Sequence, residues 1–142
     1  MKKILFVSVM LFLLTGCGKN SITCSLKQEE NGFVSNTSTK VNFKNNKISS
    51  YTITSDIDVP DEYSSSMDLL LEKGKEPYLQ YEKLSGITLK SNSSKNKIHI
   101  ELNVNASKIK ESDKEKLNEL LDLSANYKTI KNSFEKAKYE CK

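Results

Sequence analysis

From Ile98 to Ala106 every second residue is apolar, with His99, Glu101, Asn103 and Asn105 between them. A period of two belongs to an extended strand whose successive side chains point to opposite faces, so this segment predicts a strand with one buried and one wet side. Such a strand needs paired neighbours and a roof over its apolar face, and a sheet wet on one side is characteristically antiparallel. The same alternation recurs along the chain. Ile22, Cys24 and Leu26 alternate with Thr23, Ser25 and Lys27, and Val41 and Phe43 with Asn42 and Lys44. Tyr51, Ile53, Ile57 and Val59 share one parity, and Ile87 and Leu89 repeat the pattern.

Turn chemistry separates these runs. Glu29-Glu30-Asn31-Gly32 reads as a turn, Asn45-Asn46-Lys47 as a tight hairpin because asparagine tolerates positive φ, and Ser91 to Asn96 as a polar turn. The segment Ser35 to Thr39 is polar and fits either strand or loop. Pro60 ends the third run, and Pro60-Asp61-Glu62 suits a helix entry, with Tyr63, Met67, Leu70 and Leu71 forming a helical stripe behind it. Gly74 and Pro77 interrupt that stripe, which predicts a bent helix or two short ones ending near Lys83. Ser112-Asp113-Lys114-Glu115 fits a capping box ahead of Leu117, Leu120 and Leu121. Ile130, Phe134, Ala137 and Cys141 predict a last helix. Strands, helix, strands and helices in that order indicate an α+β fold: a single antiparallel β-sheet of about five strands covered on one face by two to three helices.

The first seventeen residues follow a different logic. Lys2 and Lys3 form a short basic region, Ile4 to Leu14 is almost wholly apolar, and Thr15 and Gly16 are small. That three-part layout is the layout of an export signal. The apolar run of about 11 residues falls well short of the roughly 20 needed to cross a bilayer as a helix, so a permanent span is the weaker reading. Leu14-Thr15-Gly16-Cys17 resembles the bacterial lipobox, in which a diacylglyceryl group is joined to the cysteine thiol and a peptidase cuts before it. The expected organisation is a lipoprotein signal peptide over residues 1–16, a lipidated Cys17 with a short tether over 17–21, and one α+β domain over 22–142. Two or three acyl chains hold far more firmly than one, so the domain is expected at the outer face of the bacterial cytoplasmic membrane.

Once Cys17 carries lipid, Cys24 and Cys141 remain, near opposite ends of the mature chain and both on apolar parities. In an exported protein that pair favours a disulfide, against the alternative of two buried free thiols. No C-x-x-C pair is present to suggest a redox enzyme.

Composition narrows the function classes. Removing the first 16 of 142 residues lowers the formal charge from +4 to about +2, and every cationic side chain is lysine. Without arginine, the group best suited to bidentate phosphate recognition, nucleic acid is not an expected partner. His99, the one histidine, lies on the polar parity of its strand, and a general base needs a partner and a pocket. Asp56, Asp58, Asp61 and Glu62 form the densest acidic cluster but lack the spacing of a calcium loop, and acids also favour a helix start. Tyr78, Tyr81 and Leu84 are candidates for a ligand surface or, more commonly, for the seam between helix and sheet. No metal site and no cofactor are expected.

With the lipobox, Val41-Asn42-Phe43-Lys44-Asn45-Asn46-Lys47 and Tyr81-Glu82-Lys83-Leu84-Ser85-Gly86-Ile87 in view, the chain resembles the YehR-like family of small bacterial lipoproteins. The resemblance covers residues 1 to about 120, through hairpin, helix, Tyr-x-x-Leu-x-Gly-Ile junction and a second hairpin ending in Leu102-x-Val104. That family is largely of unknown function and brings no catalytic residues. The pair Cys24 and Cys141 departs from its better-known members, so the bridge rests on the residues alone. The expectation is a non-enzymatic, membrane-anchored module that binds an envelope protein, a cell-wall component or a small ligand, or has a structural role. The alternatives are an envelope-acting enzyme using carboxylates such as Asp56, Asp58 or Glu101, and a small ligand-capture subunit of a transporter.

Overall fold

The computed structural model describes residues 20–142; the expected signal peptide, Cys17 and most of the tether lie outside the described residues. Six strands form one antiparallel sheet: β1 (Ser21–Glu30), β2 (Phe33–Lys44), β3 (Lys47–Asp58), β4 (Ile87–Ser94), β5 (Lys97–Asn105) and β6 (Glu140–Cys141). Their order across the sheet is β4-β5-β3-β2-β1-β6. Three helices accompany it: α1 (Met67–Leu79), α2 (Glu111–Asn118) and α3 (Tyr127–Lys136), with a 3-10 turn over Asp61–Ser66 leading into α1. The α+β class is as the patterns require, with one strand more than expected.

Register turns the alternation into layers. Ile22, Val41, Tyr51, Val104 and Ile87 form one inward rung, and Cys24, Thr39, Ile53, Leu102 and Leu89 the next. Asn31 and Gly32 both hold positive φ in the first hairpin, as Asn45 and Asn46 do in the second, which matches the twist of the strands they join. Ser49 has no opposite number, because Asn42 pairs with Ser50 and Phe43 with Ile48. That bulge lets Ile48 and Tyr51, three residues apart, both face the core, at 5% and 1% exposure.

Four local expectations change. First, α1 runs unbroken through Gly74 and Pro77 and ends at Leu79 rather than near Lys83. Met67, Leu70, Leu71 and Tyr78 pack onto the sheet, and that tertiary contact outweighs the proline defect in the last turn. Gly74 is used for approach: a Cβ there would lie 2.8 Å from Cδ1 of Ile100. Second, the turn expected over Ser91 to Asn96 shrinks to Lys95-Asn96, because β4 is an edge strand whose inward Ser91 and Ser93 hide the alternation.

Third, the capping box does not form. α2 starts at Glu111 with Lys110 as its uncapped entry residue, and the Ser112 hydroxyl faces the Asp113 carboxylate instead. Ile109, 7% exposed, is pinned in the core and sets the entry one step early. Fourth, Cys141 is not on a helix. α3 ends at Lys136, the chain reverses at Lys138 with φ of 66°, and Glu140–Cys141 becomes a short strand against β1.

Candidate functional site

α1 packs on β4 and β5, while α3 packs on β1 and β6. The two helices therefore stand about four strand spacings apart, ~19 Å, where helices in direct contact sit ~8–10 Å apart. Toward one end of the sheet Ile109, Leu117, Leu123 and Ala125 fill the space between them. Toward the other end a second cluster of Val59, Met67, Ile98 and Ile100 lies under α1 alone. Between the two clusters the central strands carry a trough of ≈ 160 Å³. Thr37 and Thr39 on β2 and Ile53 on β3 belong to its floor, Tyr78 to one wall, Phe134 and Tyr139 to the other, and Leu120 and Leu121 close it.

The trough combines flat apolar walls with hydroxyls. Phe134 and Tyr139 meet edge to face at 5.0 Å between centroids, so the second wall is rigid. Burial holds the Tyr78 phenol above its ordinary pKa, and the nearby Tyr139 pushes it further, so Tyr78 is a neutral hydroxyl at physiological pH. Thr39 is 4% exposed. The side chains of Thr37, Thr39 and Tyr78 hold no hydrogen bond within the described residues; Thr37 and Tyr78 are half-buried, whereas Thr39 lies at the bottom of the trough. A cavity of about 150 Å³ holds a single benzene ring in a well-studied protein, which sets the scale of what this trough admits.

Of the sequence candidates, Tyr81 and Leu84 do close the helix–sheet seam in the core, and only Tyr78 reaches the trough. Tyr81, 3% exposed, sends its hydroxyl outward to Glu119 at 3.4 Å; burial first and that carboxylate second raise its pKa. Tyr51, with a buried hydroxyl that has no partner, is raised by burial and then by Tyr81. In all three the fold favours the neutral phenol, so their contribution is complete below the free tyrosine value of about 10 and fades as pH rises above it. Alkaline titration should show three of the six tyrosines ionising late, with the urea midpoint falling above pH ~10. Six phenols ionising together with the fold intact would contradict this packing.

His99, Asp56, Asp58 and Glu101 sit on the opposite, wet face of the sheet, while Asp61 and Glu62 lie in the 3-10 turn ahead of α1. His99 Nδ1 meets Asp56 Oδ1 at 2.7 Å, across the β3–β5 pair. Lys97 pairs with Asp58, and Asn96 donates to Asp61. Glu101 accepts from Asn103 at 2.7 Å and faces Lys90 at 3.7 Å. His99 thus has the partner a general base needs, but neither His99 nor Asp56 lines the trough. Among the described residues, no three of His, Cys, Asp and Glu converge as a metal site would require.

Cys24 and Cys141 are direct cross-strand partners, with sulfurs 2.01 Å apart and Cα atoms 4.0 Å apart. Thr23 and Lys142 exchange two backbone hydrogen bonds beside them. The trough residues Thr37, Thr39, Leu120, Leu121, Phe134 and Tyr139 were not sequence candidates for a site. The signal lay in Ser35 to Thr39, polar on both parities between two clear strands.

No protein-family model matches the chain, and no curated protein matches it. Among solved structures it is similar to an NMR structure of a protein from Streptococcus pneumoniae TIGR4, at 15% identity and a TM-score of 0.57, over 100% of this chain and 98% of that chain. At that identity the likeness is one of fold.

Proposed function

We propose that this chain is a lipoprotein held by lipid on Cys17 at the outer face of a cytoplasmic membrane, and that it acts there as a non-enzymatic binding module whose ligand occupies the central trough. The lipobox, the basic and apolar leader and the resemblance to YehR-like lipoproteins support the anchor. The single observation that carries the binding reading is the stretch of β2 and β3 that neither α1 nor α3 covers, where aromatic side chains on two sides and Leu120 and Leu121 above enclose a floor bearing Thr37 and Thr39. Pockets of mainly apolar lining with a few orienting polar groups are the usual form of a small-ligand site. The chemistry selects one ring face with apolar contact and a hydrogen-bonding rim; a sugar unit of an envelope glycan, larger than the trough, would seat one face of its ring there with its substituents outside.

Nuclear magnetic resonance of the full chain, titrated with N-acetylglucosamine and separately with p-cresol as the aromatic comparison, tests this. At millimolar probe, shifts should move at Thr37, Thr39, Ile53, Tyr78 and Phe134, more for the sugar than for the phenol. Shifts confined to the wet face, around Asp56 and His99, would instead support the carboxylate enzyme.

A further inference from the structure

The two ends of the sheet carry opposite charge. Asn20 accepts a hydrogen bond from the Phe43 amide at 2.7 Å, which places the start of the described chain beside the β2–β3 turn. Ser21 pairs with Asn42, Ser50 with Asn105, and Asn20, Asn45 and Lys128 line one shallow hollow. The registers thus gather Lys44, Lys47, Lys108, Lys110 and Lys128, all exposed, at the end from which the chain leads back to Cys17. Glu111, Asp113 and Asp122 stand on the segments beside them; Glu111 is paired with Lys114, Asp113 accepts from the Ser112 hydroxyl and Asp122 from Ser124, so five lysines stand against three acids that already have partners. At the far end stand Glu29, Glu30, Asp56, Asp58, Asp61 and Glu62, with Lys95 and Lys97 among them. A strand of ten to twelve residues separates the two ends by ~33–40 Å.

We propose that the lysine end is an electrostatic docking surface for anionic phospholipid headgroups, holding the sheet upright on the membrane with its acidic end outward. The proposal rests on the lipid anchor at Cys17. Three residues of chain reach at most about 11 Å, so an anchored domain cannot carry its first strand far from the headgroups. That distance is close to the screening length of ~8–10 Å at physiological salt, within which lysines are drawn to an anionic surface. Turned the other way, the domain would bring six carboxylates to the same surface. With the sheet upright, the trough on its helix-covered face opens sideways, parallel to the membrane plane, and is not pressed against the headgroups.

The test uses full-length chain, expressed with its leader and recovered from membranes, in nanodiscs carrying a paramagnetic headgroup lipid. Intact mass first reports whether Cys17 bears lipid. In discs of about 30% phosphatidylglycerol, the amides of Asn46 and Lys108 should broaden at least about threefold more than those of Asn31 and Lys95. That contrast should vanish in purely zwitterionic discs, in 0.5 M salt, and in a Lys44→Glu/Lys47→Glu/Lys108→Glu/Lys110→Glu variant that still carries lipid. Lipidated chain with equal broadening at both ends, or a contrast untouched by salt and by charge reversal, overturns the docking surface. An unmodified Cys17 overturns the anchor; the docking surface then stands if the chain co-sediments with anionic vesicles in a salt-dependent way, and falls if it does not.

Discussion

Opening the Cys24–Cys141 bridge should lower the stability of the domain by about 4–5 kcal/mol and its Tm by roughly 10–20 °C. The bridge joins residues 117 apart, so it closes nearly the whole described chain into one loop. On the chain-entropy account a loop of that length loses much of its unfolded freedom when cross-linked, and the gain grows with the logarithm of loop size. The native side adds to the effect. β6 is two residues long and pairs only with Cys24 and Ser25, so outside the bridge the C-terminus is held by the Thr23–Lys142 hydrogen bonds and by its contact with α3 through Phe134 and Tyr139. Tyr139 immediately precedes β6 and forms part of the trough wall, so loosening β6 should also weaken ligand binding. Urea unfolding of the oxidised chain, the reduced chain and Cys24→Ala/Cys141→Ala checks this. A reduced midpoint equivalent to less than about 1 kcal/mol of loss would show that the bridge contributes little.

Gly86→Ala should cost about 3 kcal/mol, an effect out of proportion to one methyl group on a half-buried residue. Gly86 holds φ of +80°, and a Cβ there would lie 2.8 Å from Cβ of Lys108, 2.9 Å from the Asn105 carbonyl oxygen and 3.1 Å from the Lys108 carbonyl carbon. Two of those three are backbone atoms, fixed in place because Asn105 donates to the Gly86 carbonyl and Ser85 to the Lys108 carbonyl, each at 2.8 Å. The neighbour cannot yield. Gly74→Ala is the natural control, since its Cβ would meet only the tip of the Ile100 side chain and the helix regains about 1 kcal/mol of propensity. Chemical denaturation of both variants should show Gly86→Ala destabilised and Gly74→Ala near the parent; equal midpoints would contradict the close approach.

Sheet, hairpins and core were legible because strict alternation leaves register little freedom: a slip of one residue would turn Ile98, Ile100, Leu102 and Val104 to water. Asn45-Asn46 was legible because its turn demands positive φ. The passage through Pro77 was not, since local rules weigh the lost hydrogen bond and not the sheet under Tyr78. The end of α3 was hidden for a related reason: Cys141 keeps helical spacing from Phe134 and Ala137 only by coincidence, and the reversal at Lys138 depends on pairing with β1. The trough was half legible. Ser35 to Thr39 read as ambiguous because both of its faces are polar, and its inward face is polar where α1 and α3 stand too far apart to cover it.

Nuclear Overhauser contacts between bound N-acetylglucosamine and the protein are the most direct check on that trough. The account predicts contacts from the sugar ring to the rings of Tyr78 and Phe134 and to the methyl groups of Ile53 and Thr39, lost in Tyr78→Ala and Phe134→Ala variants that keep the parent fold. Contacts lying on the wet face, or none at probe concentrations of tens of millimolar, would contradict it.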